Sequence, residues 1–156
     1  MAIRFTDLEI SAYILEPKIL PPDAAHRFAL RAKRGHDEKE LDVHGNDGTL
    51  FRILIRQNQQ DVLAFSVILA LVPQSGMLFR LRRYNGKYHQ HTNPLERESF
   101  YDFHIHSATE RYQQIGARED HYAVPSSSFG DRSGAVRCML GECGFSVENG
   151  DQMPLF

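Results

Sequence analysis

The sequence predicts an α+β protein: an antiparallel β-meander of about five strands, with short helices packed on one face. Short segments with strand-like alternation follow one another through residues 40–106, separated by turn signals. Helix signals flank this region, at residues 6–16 and again at residues 108–115 and 128–142. A chain of 156 residues has the length of one domain, which we expect to comprise residues 1–156.

The composition is typical of a globular protein and argues against several functional classes. With a net charge of −2, the chain as a whole does not attract polyanions, so any contact with nucleic acid needs a local basic patch. The amino terminus has no apolar signal region, and the longest apolar run, residues 65–72, is too short to cross a bilayer. The spacing of Cys138 and Cys143 fits neither a redox nor a zinc motif. We therefore expect a cytoplasmic protein with reduced thiols and no membrane partner.

The predicted helices begin and end at recognisable signals. Capping boxes of the form [ST]-x-x-E occur at residues 6–9 and 107–110. Gly116 stands where a helix would end in a left-handed residue. The serines at residues 126–128 are the expected N-cap of the last helix.

The strand predictions differ in clarity along the chain. Residues 23–36 fit a helix and a strand equally well, and both alternatives stay open. Residues 62–72 are almost wholly apolar, as in a central strand that is buried on both faces. The clearer strands are residues 40–44, 49–56, 62–72 and 77–84.

A stretch in the middle of the chain holds four of the eight histidines together with several arginines and tyrosines. Asn85 and Gly86 lie between two strand-like runs, which predicts a hairpin with a type I′ turn. Because side chains alternate along a strand, this register places six polar or cationic side chains on one face and Arg83 on the other. The six are Arg80, Arg82, Tyr84, Lys87, His89 and His91.

Residues 102–106 alternate in the same way. This pattern places His104 and His106 on one face and turns Phe103 and Ile105 toward the core. If this strand lies beside the hairpin, two His-x-His pairs converge on one surface.

The first functional hypothesis is metal-independent RNA cleavage, without a cofactor. Two imidazoles can act as general base and general acid, while arginine or lysine stabilises the charge on phosphate. His104 and His106 are the preferred acid–base pair, with His89 and His91 as the second pair. Tyrosines would stack on unpaired bases. The predicted substrate-binding residues are Arg80, Arg82, Arg83, Tyr84, Lys87, Asn93, Arg111 and Tyr112.

The second hypothesis is a metal site. His89-x-His91 followed by Glu96 has the spacing of a first cupin motif. No second motif with its later histidine is recognisable, and Arg80 and Arg82 would repel a divalent ion. The three residues are therefore predicted ligands only if a metal is present.

The remaining hypotheses involve no catalysis. Histidines that alternate with apolar residues on a half-exposed strand need no function at all. A face of this kind also suits a binding module for protein or nucleic acid in a defence or mobile-element locus. Edge strands of a meander can pair between subunits, so a homodimer is compatible with the fold.

Two resemblances are carried by the motif LRRYNGKYHQHTN…FYDFHIHSATERYQQIG. The chain resembles small bacterial proteins of uncharacterised-domain type along most of its length, including FRILIRQN and FSVIL. Residues 80–106 are also loosely similar to TumE-type toxins of toxin–antitoxin loci, although LRRYNG replaces their R-Y-D form and the first histidines are spaced differently. This resemblance implies a toxin-like role, RNA as the target and a cognate antitoxin as partner. It implicates Arg83, Tyr84, Asn85, His91, His104 and His106.

Overall fold

The computed structural model describes residues 2–27 and 29–148, and it confirms the predicted α+β class. The described part contains four helices and a seven-stranded antiparallel sheet. The helices are α1 (Asp7–Leu15), α2 (Ala24–Arg27), α3 (Glu110–Gln114) and α4 (Arg132–Glu142). The strands are β1 (Lys18–Leu20), β2 (Ala29–Lys33), β3 (His36–His44), β4 (Leu50–Asn58), β5 (Phe65–Leu71), β6 (Phe79–Asn85), β7 (His91–Asn93), β8 (Glu98–Phe100), β9 (His104–Ser107), β10 (Ala123–Pro125) and β11 (Phe145–Val147).

The large sheet has the strand order β10-β9-β6-β5-β4-β3-β2. Strands β2 to β6 follow one another along the chain, as a meander requires, and β9 and β10 extend the sheet beyond β6. Residues 23–36 contain both of the structures that their pattern allowed, since α2 is followed by β2. Strands β7 and β8 form a separate hairpin, and β1 pairs in parallel with β11.

The hydrophobic core lies on one face of the large sheet, beneath α1 and α4. Strand β5 is buried along its whole length, as predicted. Ile10 and Ile14 of α1 and Met139 of α4 belong to this core. Burying each of these side chains contributes roughly 1.5–3 kcal/mol. In the part of the chain that the structure describes, no helix is both long and apolar enough to span a membrane.

The helix ends confirm some predicted signals and correct others. Thr6 caps α1 with the expected capping box, and Gly116 has the left-handed φ of 75° that the end of α3 was expected to need. The other two predicted caps are wrong. Thr109 caps α3 because Ser107 still belongs to β9, and Asp131 caps α4 by accepting from the backbone N–H of Gly134.

The predicted hairpin at Asn85 and Gly86 is also wrong. Strand β6 ends at Asn85, and it pairs with β5 and β9 rather than with residues 87–91. Among the described residues with positive φ, neither Asn85 nor Gly86 appears. Gly86 is needed for close packing instead, because a Cβ there would overlap the carbonyl oxygen of Leu63. Its backbone N–H donates to the Phe65 carbonyl at 3.0 Å.

A β-bulge in β6 changes which side chains share a face. Between Arg80 and Arg82, β6 has one residue more than the facing segment of β5, and that residue is Leu81. Since a bulge interrupts the alternation of side chains, the residues beyond it change sides. Arg83 therefore stands directly opposite His106 in the β6–β9 ladder. The prediction that placed Arg83 away from the histidines is wrong.

Candidate metal centre

Strand β9 places His104 and His106 on the face of the sheet opposite the hydrophobic core. Their direct ladder neighbours on β6 are Asn85 and Arg83, respectively. His104 is fully buried and His106 is 3% exposed, so the hypothesis that these histidines lie on a half-exposed strand is wrong. The two histidines share a face, as the alternation predicted, but that face is covered.

The β7–β8 hairpin covers this face and brings in a third histidine. The ring centroid of His91 lies 5.5 Å from that of His104 and 4.8 Å from that of His106. Phe100, which pairs with His91 on β8, lies 5.5 Å from the His104 ring. Three imidazoles thus form one cluster with an aromatic wall.

Backbone carbonyls fix the tautomers of the two β9 histidines. Nδ1 of His104 lies 2.7 Å from the Asp102 carbonyl oxygen, and Nδ1 of His106 lies 2.9 Å from that of Asp120. A carbonyl oxygen can only accept, so each Nδ1 carries the hydrogen and donates it. Each Nε2 then keeps its lone pair. Both Nε2 atoms are buried without a hydrogen-bond partner in the described structure, although buried polar atoms nearly always have one.

Asn93 fixes the tautomer of His91 by a different route. Its amide is oriented by Ala123, whose backbone N–H donates to Oδ1 at 3.0 Å and whose carbonyl accepts from Nδ2 at 2.7 Å. Oδ1 also lies 2.7 Å from Nε2 of His91, so Nε2 must be the donor. The other ring nitrogen of His91 keeps a free lone pair.

The geometry of the cluster fits a metal centre. One potential ligand nitrogen from each of His91, His104 and His106 lies within 4.8 Å of the other two. In a tetrahedral zinc site with bonds of about 2.1 Å the nitrogens are about 3.4 Å apart, so metal binding requires these nitrogens to approach one another by up to about 1.4 Å. Holding the second ring nitrogen on an oxygen acceptor is the usual arrangement for histidine ligands of metals.

The electrostatics keep these histidines neutral. Burial lowers the pKa of His104 to about 4 and of His106 to about 2. Neighbouring charges make smaller contributions to this lowering of the pKa, the largest coming from His91 for His104 and from Arg83 for His106. Burial is also the main cause of the lowered pKa of His91. A neutral imidazole is the form that binds a metal ion, so the cluster is ready to coordinate at neutral pH.

The positive charge of Arg83 is partly balanced within the site by a carboxylate that Arg118 shares. Its Nε donates to Oδ2 of the fully buried Asp120 at 3.0 Å. Nε of Arg118 lies 3.4 Å from the other carboxylate oxygen. Asp120 thus binds Arg83 through its side chain and His106 through its carbonyl. Because Arg83 is paired, it opposes a bound cation less than an isolated arginine would.

The predicted cupin-type ligands do not come together. His89 is exposed, with its ring centroid 5.7 Å from that of His104, and it lies at the edge of the cluster. Glu96 binds outside the cluster, where it accepts from Tyr112 Oη at 2.5 Å and from Arg111 Nε at 2.7 Å. Among the described residues, His91 alone of the three predicted ligands belongs to the cluster.

The predicted basic stripe does not form either, because of the bulge and the missing hairpin. Arg80 lies 3.5 Å from a Glu119 oxygen, and Arg82 lies 3.4 Å from a Glu142 oxygen. Tyr84 is fully buried and donates to Glu142 at 2.6 Å. Lys87 stays near the surface, 6.0 Å from the centroid of the Tyr101 ring.

Two residues of the site were missed by the sequence interpretation, Asp120 and His121. The His121 ring lies 5.2 Å from that of His91 and stacks on Tyr112 at 5.3 Å. Its Nε2 donates to the Thr92 carbonyl at 3.1 Å. Both residues precede β10 in a segment without alternation, so no local sequence pattern indicates where they lie.

No protein-family model matches this chain, and comparisons with curated proteins and with solved structures give no match. The resemblance to TumE-type toxins and to small uncharacterised bacterial proteins stays a prediction.

Proposed function

We propose that this protein binds one divalent transition-metal ion, with Zn²⁺ as the best fit, through His91, His104 and His106. The observation that supports the proposal is the convergence of three buried imidazoles, each with one nitrogen held as a donor and the other free. All three ligands are imidazoles, which suit zinc, copper, iron or nickel rather than the oxygen-preferring magnesium and calcium.

The reaction class we propose is hydrolysis by metal-activated water. Structural zinc sites have four protein ligands, whereas three ligands leave a position for water, whose pKa the metal lowers to about 7. Arg83 stands beside His106 in the ladder and would stabilise negative charge that develops on a substrate. The exposed His89, against His104, indicates the side from which a substrate approaches.

The prediction of a metal-independent ribonuclease stays open, but burial weighs against its preferred acid–base pair. A general acid must be protonated near the working pH, and the pKa values of His104 and His106, about 4 and about 2, keep both neutral. RNA as a substrate has some separate support. Tyr88 and Tyr101 are exposed beside Lys87, an arrangement that suits stacking on unpaired bases and contact with phosphate. An antitoxin partner and a homodimer also stay predictions.

The proposal is tested by elemental analysis of protein purified without chelators and then loaded with Zn²⁺. We expect one tightly bound ion per chain in the wild type and none in His104→Gln or His106→Gln. His44→Gln is the matched control, since it replaces an exposed histidine on β3 and should leave the metal content unchanged. A wild type that folds, as shown by circular dichroism, yet binds no more zinc than His104→Gln would contradict the proposal.

Incubation with total cellular RNA tests the substrate. Cleavage that EDTA removes and Zn²⁺ restores would support RNA hydrolysis at the metal centre. Cleavage that survives EDTA but not His104→Gln would support the metal-independent mechanism instead.

A further inference from the structure

One row of directly paired residues crosses the sheet on the face that carries the histidines. It passes from β3 to β9 through four consecutive ladders. The row consists of Glu38, Arg56, Ser66, Asn85 and His104. Directly paired residues point to the same face, and neighbouring strands lie about 4.8 Å apart. The metal centre is therefore one end of a continuous polar line.

The inner part of this row is hydrogen-bonded and buried. Ser66 Oγ donates to Asn85 Oδ1 at 2.7 Å, and Asn85 is fully buried. Nδ2 of Asn85 has no hydrogen-bond partner in the described structure. Asn85 and His104, neighbours in the ladder, thus each bury one polar nitrogen without a partner among the described residues: the Nδ2 donor of Asn85 and the Nε2 acceptor of His104.

The outer end of the row opens into a cavity of about 180 Å³. Its lining includes Arg56, His36, Ser66 and Tyr88. Since a water molecule occupies about 30 Å³, the cavity has room for a carboxylate or phosphate group but not for a large ligand.

Two aromatic rings connect this cavity with the metal centre along the surface. The Tyr88 ring, which lines the cavity, lies 4.4 Å from the ring of His89. The His89 ring in turn lies 5.7 Å from that of His104. A ligand extending from the cavity over these two rings would arrive at the exposed edge of the centre.

The charges around the cavity favour an anion. Arg56 Nε and Lys33 Nζ lie 3.2 Å and 3.4 Å from the two carboxylate oxygens of Glu38. His36 Nε2 lies 3.3 Å from the same carboxylate and from an Arg56 nitrogen. Two cations share one carboxylate, so these charged side chains keep a net positive charge without any contribution from His36. An arginine fork also matches the geometry of carboxylate and phosphate oxygens.

We propose that this cavity is an oxyanion subsite that holds a carboxylate or phosphate group of the ligand acting at the metal centre. Three strand spacings, about 14 Å, separate the backbone positions of Arg56 and His104. The ligand is therefore elongated, with an acidic group at one end and the reacting group at the other. The binding of the reacting group depends on the proposed metal centre. The binding of the acidic group depends only on Arg56 and its neighbours.

Calorimetric titration with inorganic phosphate and with acetate tests the subsite, and the better binder identifies the oxyanion. Arg56→Gln should weaken binding at least about tenfold, because it removes the fork. Glu38→Gln should tighten binding several-fold, since it removes the competing carboxylate. Arg52→Gln is the matched control: Arg52 lies on the same strand, is paired with Asp42, and does not line the cavity. The subsite would be overturned if phosphate and acetate bound Arg56→Gln as tightly as they bind the wild type, or if neither anion bound Glu38→Gln.

A bifunctional probe tests the connection with the metal. A hydroxamate joined to a phosphonate by a chain of methylene groups should bind zinc-loaded protein at least about tenfold more tightly than acetohydroxamate. Arg56→Gln should abolish that gain. If the protein takes up no zinc, the proposed function fails while the phosphate titration still decides the subsite. If zinc is bound and no gain appears, the connection between the subsite and the centre is overturned.

Discussion

Asn93 holds His91 in the tautomer that leaves one of its ring nitrogens free. Oδ1 of Asn93 lies 2.7 Å from Nε2 of His91. The same side-chain amide is hydrogen-bonded to the backbone N–H and the backbone carbonyl of Ala123. One side chain thus orients a candidate ligand and attaches the β7–β8 hairpin to β10. The short hairpin that covers the centre is positioned by the same contact.

Replacing Asn93 should therefore weaken metal binding without removing a ligand. Asn93→Leu removes the acceptor for His91 Nε2, so we expect zinc affinity to fall about 10–100-fold, as is usual when a partner of a metal-binding histidine is lost. Competition with a chromophoric chelator measures the change. Thr92→Ala, an exposed neighbour on β7 whose hydroxyl contacts Ser99, should leave the affinity unchanged. Equal affinity in Asn93→Leu and the wild type would mean that Asn93 does not position His91.

The metal-free protein should lose stability in acid. Folding lowers the pKa of His104 from 6.5 to about 4. Between these two pH values the unfolded chain therefore protonates this histidine while the folded chain keeps it neutral. This stabilisation is present above pH 6.5 and is lost as the pH falls toward 4, at up to about 1.4 kcal/mol per pH unit. Urea unfolding in EDTA at pH 7, 6 and 5 measures the slope. His104→Gln should make the slope smaller by the share of one histidine, while the buried His106 still contributes. The exposed His44→Gln should leave the slope unchanged, and an unchanged slope in His104→Gln would contradict the burial of a neutral imidazole.

Gly86 should tolerate no side chain, in contrast to a turn glycine. The Cβ of Gly86→Ala would overlap backbone at Leu63, so we expect a loss of about 2 kcal/mol or more in the free energy of unfolding. Gly141 on helix α4 is the matched control, because a Cβ added there meets no atom of the described residues within 4 Å. Gly141→Ala should stabilise the protein by up to about 1 kcal/mol. Chemical denaturation compares the two variants, and a neutral Gly86→Ala would speak against the packing described here.

The buried ion pair between Arg83 and Asp120 should be strongly coupled. Asp120→Asn leaves the Arg83 charge uncompensated beside the histidines, so we expect it to cost about 3 kcal/mol of stability and to weaken zinc binding. The double variant Arg83→Gln with Asp120→Asn should be less destabilised than the sum of the single variants. Strictly additive free energies of unfolding would show that the pair contributes no direct interaction.

Much of the fold could be predicted because its signals are local. The apolar run that became β5 and the capping box at Thr6 depend only on neighbouring residues, and both are confirmed. The predicted hairpin at Asn85 and Gly86 is wrong because a glycine suits close packing as well as a turn, and Gly86 packs against Leu63. Whether a glycine forms a turn or a close packing contact depends on a segment distant in the sequence, so the local pattern does not distinguish the two.

The predictions of the site also succeeded where the signal is local and failed where it depends on pairing between strands. Alternation within β9 correctly paired His104 with His106, since it depends on one strand alone. The bulge at Leu81 could not be predicted from β6 itself, because it is defined by the register against β5. That single extra residue moved Arg83 onto the histidine face and removed the predicted basic stripe.

The most direct test of the metal centre is a crystal structure of the zinc-loaded protein with anomalous diffraction data at the zinc absorption edge. We predict one strong anomalous peak, about 2.1 Å from one ring nitrogen of each of His91, His104 and His106. The second ring nitrogens should keep their bonds to Asn93 and to the backbone carbonyls. A peak at other residues, or no peak beside three well-ordered imidazoles, would contradict the proposed centre.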